Sequence, residues 1–175
     1  MTHASTVQLA SIRVITENVP RLVRFYEVLT GATPQHLTED FVELVTPSAT
    51  LAVSSSARVA FITPGTPRGG ANNSAIAEFL VDDTTAVYER LAAEFGDELD
   101  VVQPPTMMPW GNLSALIRDP DGSLVNLYTP VTPEAQLLQH NRTPKPLRAS
   151  PPIRSADHVS PTASGIETST RPLTR

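Results

Sequence analysis

The chain of 175 residues contains no cysteine, which excludes disulfides, thiolate nucleophiles and cysteine-based metal centres. It has no clustered lysine and arginine, and its formal net charge is −5. Phosphate backbones are bound by grouped cations, so nucleic acid is not an expected partner. No stretch approaches the ~20 consecutive apolar residues of a membrane span. The first six residues are polar and show neither the basic start nor the apolar run of a secretory signal. A cytoplasmic protein with no membrane partner is the expectation. Histidine is scarce, with four residues, and His3, His140 and His158 fall in terminal segments. His36 falls in a turn or short strand after the first helix, where a solvated side chain is the ordinary reading. No Ser-His-Asp set can be assembled from these, because no histidine sits on a core element.

Proline is plentiful, at 17 residues, and unevenly placed. From residue 141 the chain reads NRTPKPLRASPPIRSADHVSPTASGIETSTRPLTR, without apolar periodicity of either two or three to four. Isolated Ile153, Val159 and Ile166 cannot build a core, so a disordered tail is expected. The functional alternative is a proline-rich docking peptide. A short helix should precede this tail, with Thr132 as N-cap and Pro133 in the first helical position. The organisation expected is one domain over residues 7–133, then residues 134–175 as short helix and tail.

Within the domain a pattern occurs twice. Residues 9–15 are a short β-branched strand. Asn18 caps a helix in which Leu22, Phe25, Tyr26 and Leu29 form one apolar face, and Gly31 ends it. Strands are expected at residues 41–45, 50–54 and 59–62. The same order then returns: a strand over residues 74–81, Asp83 as helix cap, an apolar face of Val87, Leu91 and Phe95, and Gly96 as the stop. Strands follow at residues 101–103, 113–118 and 124–128. The last two are joined by Asp119, Pro120, Asp121 and Gly122, which have strong turn chemistry. Ser11 and Ile76, Asn18 and Asp83, and Gly31 and Gly96 are each the same number of positions apart. Three landmarks at one offset indicate an internal repeat of a strand–helix–strands unit. The modules span about residues 7–62 and 74–130, and the class is α+β. Helices should cover one face of a curved mixed sheet, leaving the other unroofed as a concave ligand cleft. Residues 63–73 (TPGTPRGGANN) read as a linker, since their glycines lack the strand and helix that flank a dinucleotide loop.

Three stretches carry a resemblance to a known family. SIRVITENVPRLVRFYEVLTG resembles the opening module of glyoxalase/bleomycin-resistance/extradiol-dioxygenase proteins, the vicinal-oxygen-chelate class. AIAEFLVDDTTAVYERLAAEFG is similar to the start of their second module, and PWGNLSALIRDPDGSLVNLYTP to its closing hairpin. The resemblance implies paired βαβββ modules, usually a homodimer, and a ligand site on the concave sheet face. Metal enzymes of the family place His, Gln or Glu on the first and last strands of each module. Carried over, those positions are Ser11, Val53, Ile76 and Asn126, none a good ligand for a divalent ion. The sequence thus departs from the enzymatic members toward a metal-ligand-depleted branch, and no cofactor is implied.

Other side chains are candidates for the cleft. Arg13 shares a strand face with Ser11, and Glu78 shares one with Ile76. The repeat makes Arg13 and Glu78 equivalent, and in the family the modules' first strands are neighbours, so the two are expected to pair on the concave face. The pair is either a structural substitute for the metal's bridge or a contact for a polar ligand. Met107, Met108 and Trp110 precede the closing hairpin, where the resemblance places the pocket rim; closing the core edge is the alternative. Phe61 and Tyr128 would add aromatic wall. Asp119 and Asp121 more simply cap backbone amides in their turn than act as a catalytic pair.

The leading expectation is metal-independent binding of a small organic molecule by a homodimer, with Arg13, Glu78, Met107, Met108, Trp110 and Asn126 at the site. The alternatives are a divalent-metal lyase, isomerase or dioxygenase using atypical ligands such as Glu78, and a regulatory dimer that recruits a partner through its tail.

Overall fold

A computed structural model describes residues 9–62, 68–71 and 74–142, with the side chains of residues 61 and 62 excepted. The proline-rich tail from residue 143 lies outside the described residues. The first module is β1 (Ser11–Thr16), α1 (Val19–Thr30), β2 (Gln35–Thr38), β3 (Phe41–Val45), β4 (Thr50–Ser55) and α2 (Ser56–Ile62). The second is β5 (Ile76–Leu80), α3 (Thr84–Phe95), a 3-10 turn at Gly96–Glu98, β6 (Asp100–Met107), β7 (Asn112–Arg118), β8 (Leu124–Pro130) and α4 (Pro133–Arg142). Each module forms one four-stranded sheet, ordered β1-β4-β3-β2 and β5-β8-β7-β6. In both, the first strand runs parallel to the last and the other pairs are antiparallel. The repeat read from three landmarks is therefore a repeat of complete topology, and the α+β class holds.

Local chemistry sets the helix ends. Asn18 Oδ1 accepts from Arg21 N at 3.1 Å, and Asp83 Oδ1 accepts from Ala86 N at 3.1 Å. Each satisfies a backbone amide that the first helical turn leaves without a partner. Gly31 closes α1 in the left-handed region, with φ at 68°. The helices pack by their apolar faces between the sheets. Phe25 on α1 lies 5.7 Å from Phe95 on α3, and Tyr26 lies 6.0 Å from Phe79 on β5. One core thus spans both modules, with Leu22, Tyr26, Val53, Leu91, Ile117 and Leu127 buried in it. Arg90 on α3 donates to the Val28 and Leu29 carbonyls at 2.9 and 3.0 Å. A cation at those terminal carbonyls also suits the negative end of the α1 dipole.

Three expectations about the fold change. Residues 59–62 are not a strand; they belong to α2. The signal lies just upstream, where Ser55 Oγ accepts from Arg58 N at 3.0 Å and so starts a helix immediately after β4. Second, the concave face of the second sheet is not unroofed. Thr132 caps α4 as the sequence suggests, its Oγ1 accepting from Ala135 N at 3.3 Å. The helix then folds back, burying Ala135 and placing Gln139 Oε1 3.1 Å from the Tyr128 hydroxyl, which donates to it.

Third, Val53 is not on the concave face. It pairs with Val14, and both pack in the core. The concave residue is Ala52, opposite Arg13, as Asn126 is opposite Glu78. The modules differ in length between helix and last strand, so the repeat offset is not constant to the end. A slip of one residue in a strand moves a side chain to the other face. Among the described residues, no helix is long and apolar enough to cross a membrane.

Candidate functional site

Sheet two and α4 enclose a cavity of about 300 Å³. Its floor is the concave face of the sheet, with Glu78 from β5, Asn126 and Tyr128 from β8, and Asn112 from β7. Its wall is one stripe of α4, Ala135, Leu138, Gln139 and Arg142, and Trp110 stands at the rim. Alternation along β8 aims Asn126 and Tyr128 at the cavity while Val125 and Leu127 enter the core.

The floor is hydrogen-bonded but not closed. Asn126 Nδ2 donates to Glu78 Oε1 at 3.2 Å, which fixes the amide and leaves its oxygen for a ligand. Partial burial, and then the negative charge of Glu78, raise the Tyr128 phenol above its ordinary pKa, while Arg142 opposes the shift. Tyr128 thus stays a neutral phenol at physiological pH, able to accept a hydrogen bond while donating its own to Gln139.

Trp110 is 65% exposed, and a tight turn holds it. Met108 N donates to Asn112 O at 2.8 Å and Gly111 N to Met108 O at 2.9 Å. Gly111 O in turn accepts from Val131 N and Thr132 N at 2.9 and 3.1 Å. The tryptophan turn and the root of α4 are therefore one hydrogen-bonded unit. Gly111 has φ +90°, and a Cβ there would lie 2.2 Å from Thr132 Oγ1. Only glycine permits so close an approach.

Of the candidates read from the sequence, Glu78, Asn126 and Trp110 line this cavity, as does Tyr128. Arg13 does not. It lies on the other sheet, with its guanidinium 4.6 Å from the Phe41 ring centroid. The expected Arg13–Glu78 pair does not form, because among the described residues β1 pairs with β4 and β5 with β8, each at the edge of its own sheet. Met107 ends β6 half exposed, and Met108 lies within reach of the Gln103 amide, Nε2 to Sδ 4.0 Å; neither lines the cavity. Phe61 falls in α2, and its side chain lies outside the described residues. Asp119 caps its turn as expected, Oδ1 accepting from Asp121 N and Ser123 N at 3.0 and 2.9 Å. The sequence reading missed Asn112 and the whole α4 stripe. The signal was present, since Ala135, Leu138, Gln139 and Arg142 stand at i, i+3, i+4 and i+7.

The donors present do not suit the divalent ion associated with the metal enzymes the sequence resembles. With the register corrected, the equivalent positions carry the Ser11 hydroxyl, the Ala52 methyl, the Ile76 alkyl chain and the Asn126 amide. Among the described residues, no three His, Cys, Asp or Glu side chains converge. Glu78 alone offers a carboxylate here, and such ions are held by several imidazoles or carboxylates together.

Solved structures share this architecture. A glyoxalase/bleomycin resistance protein/dioxygenase from Nocardioides matches with a TM-score of 0.60 and 18% identity, over 75% of this chain and 88% of its own. A glyoxalase-related enzyme from Fulvimarina pelagi matches at 0.60 and 19%, over 73% and 94%. TioX from Micromonospora sp. ML1 matches at 0.55 and 19%, over 71% and 100%. At these identities the likeness is one of fold. No curated protein matches the chain. The family model of the Glyoxalase/Bleomycin resistance protein/Dioxygenase superfamily matches residues 8–127, most of the chain and nearly all of both sheets. The chain belongs to that superfamily.

Proposed function

We propose that this protein binds a small organic molecule in the cavity beneath α4, without a metal and without covalent chemistry. Sequestration of an antibiotic or a metabolite is the corresponding biological role. The observation that carries the reading is the composition of the cavity. It joins a flat, exposed indole at the rim to polar groups on the floor and an aliphatic wall from Leu138 and Ala135. Binding pockets combine apolar lining with a few convergent polar groups in this way. Among the described residues, no histidine lines the cavity with Glu78 to relay a proton, which favours binding over acid–base turnover.

A homodimer is part of the proposal. The first strand of each module lies at an edge of its sheet, and these edges carry exposed apolar side chains: Ile12 is 54% exposed on β1, and Ile76 and Leu80 are each 51% exposed on β5. Exposed apolar edges are ordinarily covered in soluble proteins. Sedimentation or light scattering across a dilution series checks the dimer.

The chain contains one tryptophan, Trp110, so tryptophan emission excited selectively, away from tyrosine absorption, reports on the cavity rim. Titration with a panel of aromatic and heteroaromatic compounds should move its emission to the blue and raise the melting temperature in parallel. A panel that changes neither signal would remove the reading.

A further inference from the structure

The cavity holds two opposite formal charges that do not neutralise each other. Glu78 stands on the floor at the edge strand β5, and Arg142 closes the last turn of α4. No ion pair joins them among the described residues. Both line the cavity with Tyr128: Glu78 is bonded to Asn126, two positions before it on β8, and the Tyr128 hydroxyl reaches Gln139, three positions before Arg142 on α4. The two charges therefore flank one phenol. Trp110 stands at the other end of the helix, because its turn is hydrogen-bonded to the residues that start α4. From Ala135 to Arg142 the helix rises about 10 Å, at ~1.5 Å per residue. The site thus has an aromatic end at the root of α4 and a doubly charged end at its tip.

We infer that the ligand is an aromatic zwitterion of amino-acid type, its ring against Trp110, its ammonium toward Glu78 and its carboxylate toward Arg142. This rests on the cavity being the binding site. A ligand with only one charge would make one of the two charge contacts and forgo the other, so the arrangement favours a ligand that carries both. Asn126 supports the orientation. Its amide donates one hydrogen to Glu78, and its carbonyl oxygen is a second acceptor for an ammonium group. Arg142 supplies a guanidinium fork suited to a carboxylate. It comes from α4, which begins beyond residues 8–127 that the superfamily model covers.

The test uses four probes of one skeleton: phenylalanine, phenethylamine without the carboxylate, 3-phenylpropionate without the amine, and uncharged 3-phenylpropanol. Binding is followed by Trp110 emission and by calorimetry on the full chain. Phenylalanine should bind at least ~10-fold more tightly than either singly charged probe. Glu78→Gln should erase its advantage over 3-phenylpropionate, and Arg142→Gln its advantage over phenethylamine. Both side chains are exposed, so each variant should keep its probe-free melting temperature and report recognition, not folding. If phenethylamine or 3-phenylpropanol binds as tightly as phenylalanine, the zwitterion inference is overturned while the cavity remains a binding site. If no aromatic probe of any charge changes Trp110 emission or releases heat, the cavity reading fails with it.

Discussion

Tyr26 donates its phenolic hydrogen to Asp119 Oδ2 at 2.9 Å, a buried bond between residues 93 positions apart. It ties α1 of the first module to the turn between β7 and β8 of the second. Because Asp119 Oδ1 already holds two backbone amides of that turn, the carboxylate is a junction between the modules. Tyr26→Phe keeps the ring packing and removes only the donor. The carboxylate oxygen left behind is buried, and such a loss costs about 1–3 kcal/mol. Urea or thermal unfolding should show that loss. An unchanged midpoint would mean that water replaces the hydroxyl and that the junction carries no weight.

The same tyrosine gives the fold an alkaline limit. Burial first, and then the charge of Asp119, push its pKa well above the ordinary 10.0. In the unfolded chain the phenol ionises at its ordinary value, while in the folded chain it stays protonated. The folded state then binds more protons, and stability falls as pH rises. The contribution is whole below about pH 10, the ordinary value, and is lost progressively toward the folded value. Denaturant midpoints measured from pH 8 to 11.5 should therefore bend downward near the top for the native chain. Tyr26→Phe, which starts from a lower midpoint at pH 8, should bend less, so the gap between the two should narrow. Equal slopes would contradict the assignment.

Much of this architecture was legible because local chemistry and the global pattern agree. Asn18, Gly31, Asp83 and Thr132 each act where their side chains, or the lack of one, predict. The strand Phe41–Val45 is marked by turn residues on both sides. What was not legible depended on register and on distance in the chain. Nothing local separates Ala52 from Val53, yet they face opposite sides of the sheet. The Arg13–Glu78 pairing assumed that equivalent strands are neighbours, whereas each lies at the edge of its own sheet. The α4 stripe was readable as an amphipathic pattern, but its partner is a sheet face made polar by Asn126 and Tyr128. Apolar periodicity alone does not point to such a surface.

Gly111 should be a sensitive position outside the core. Its positive φ and its closeness to Thr132 Oγ1 leave no room for a methyl group. That hydroxyl also caps α4, so Gly111→Ala strains the turn of Trp110 and the start of the helix together. Backbone strain of this kind costs about 1–3 kcal/mol. The expected result is a lower melting temperature and weaker ligand binding in the same variant. Hydrogen exchange should show faster opening of α4 specifically, and uniform loss of protection across the domain would locate the strain elsewhere.

Leu137 and Leu138 offer a control within one helix. Adjacent residues on a helix point about 100° apart, and only Leu138 lines the cavity. Leu137 is 64% exposed and Leu138 53%, so truncating either should change stability by less than about 0.5 kcal/mol. Their effects on binding should differ. Leu138→Ala removes aliphatic surface that a bound ring would cover, worth about 1 kcal/mol or roughly five-fold in affinity. Leu137→Ala should leave affinity where it was. Parallel titrations of the two variants, read through Trp110, decide whether α4 contacts the ligand. Equal losses would mean that the helix contributes only general apolar surface, and no loss in either would place the ligand away from α4.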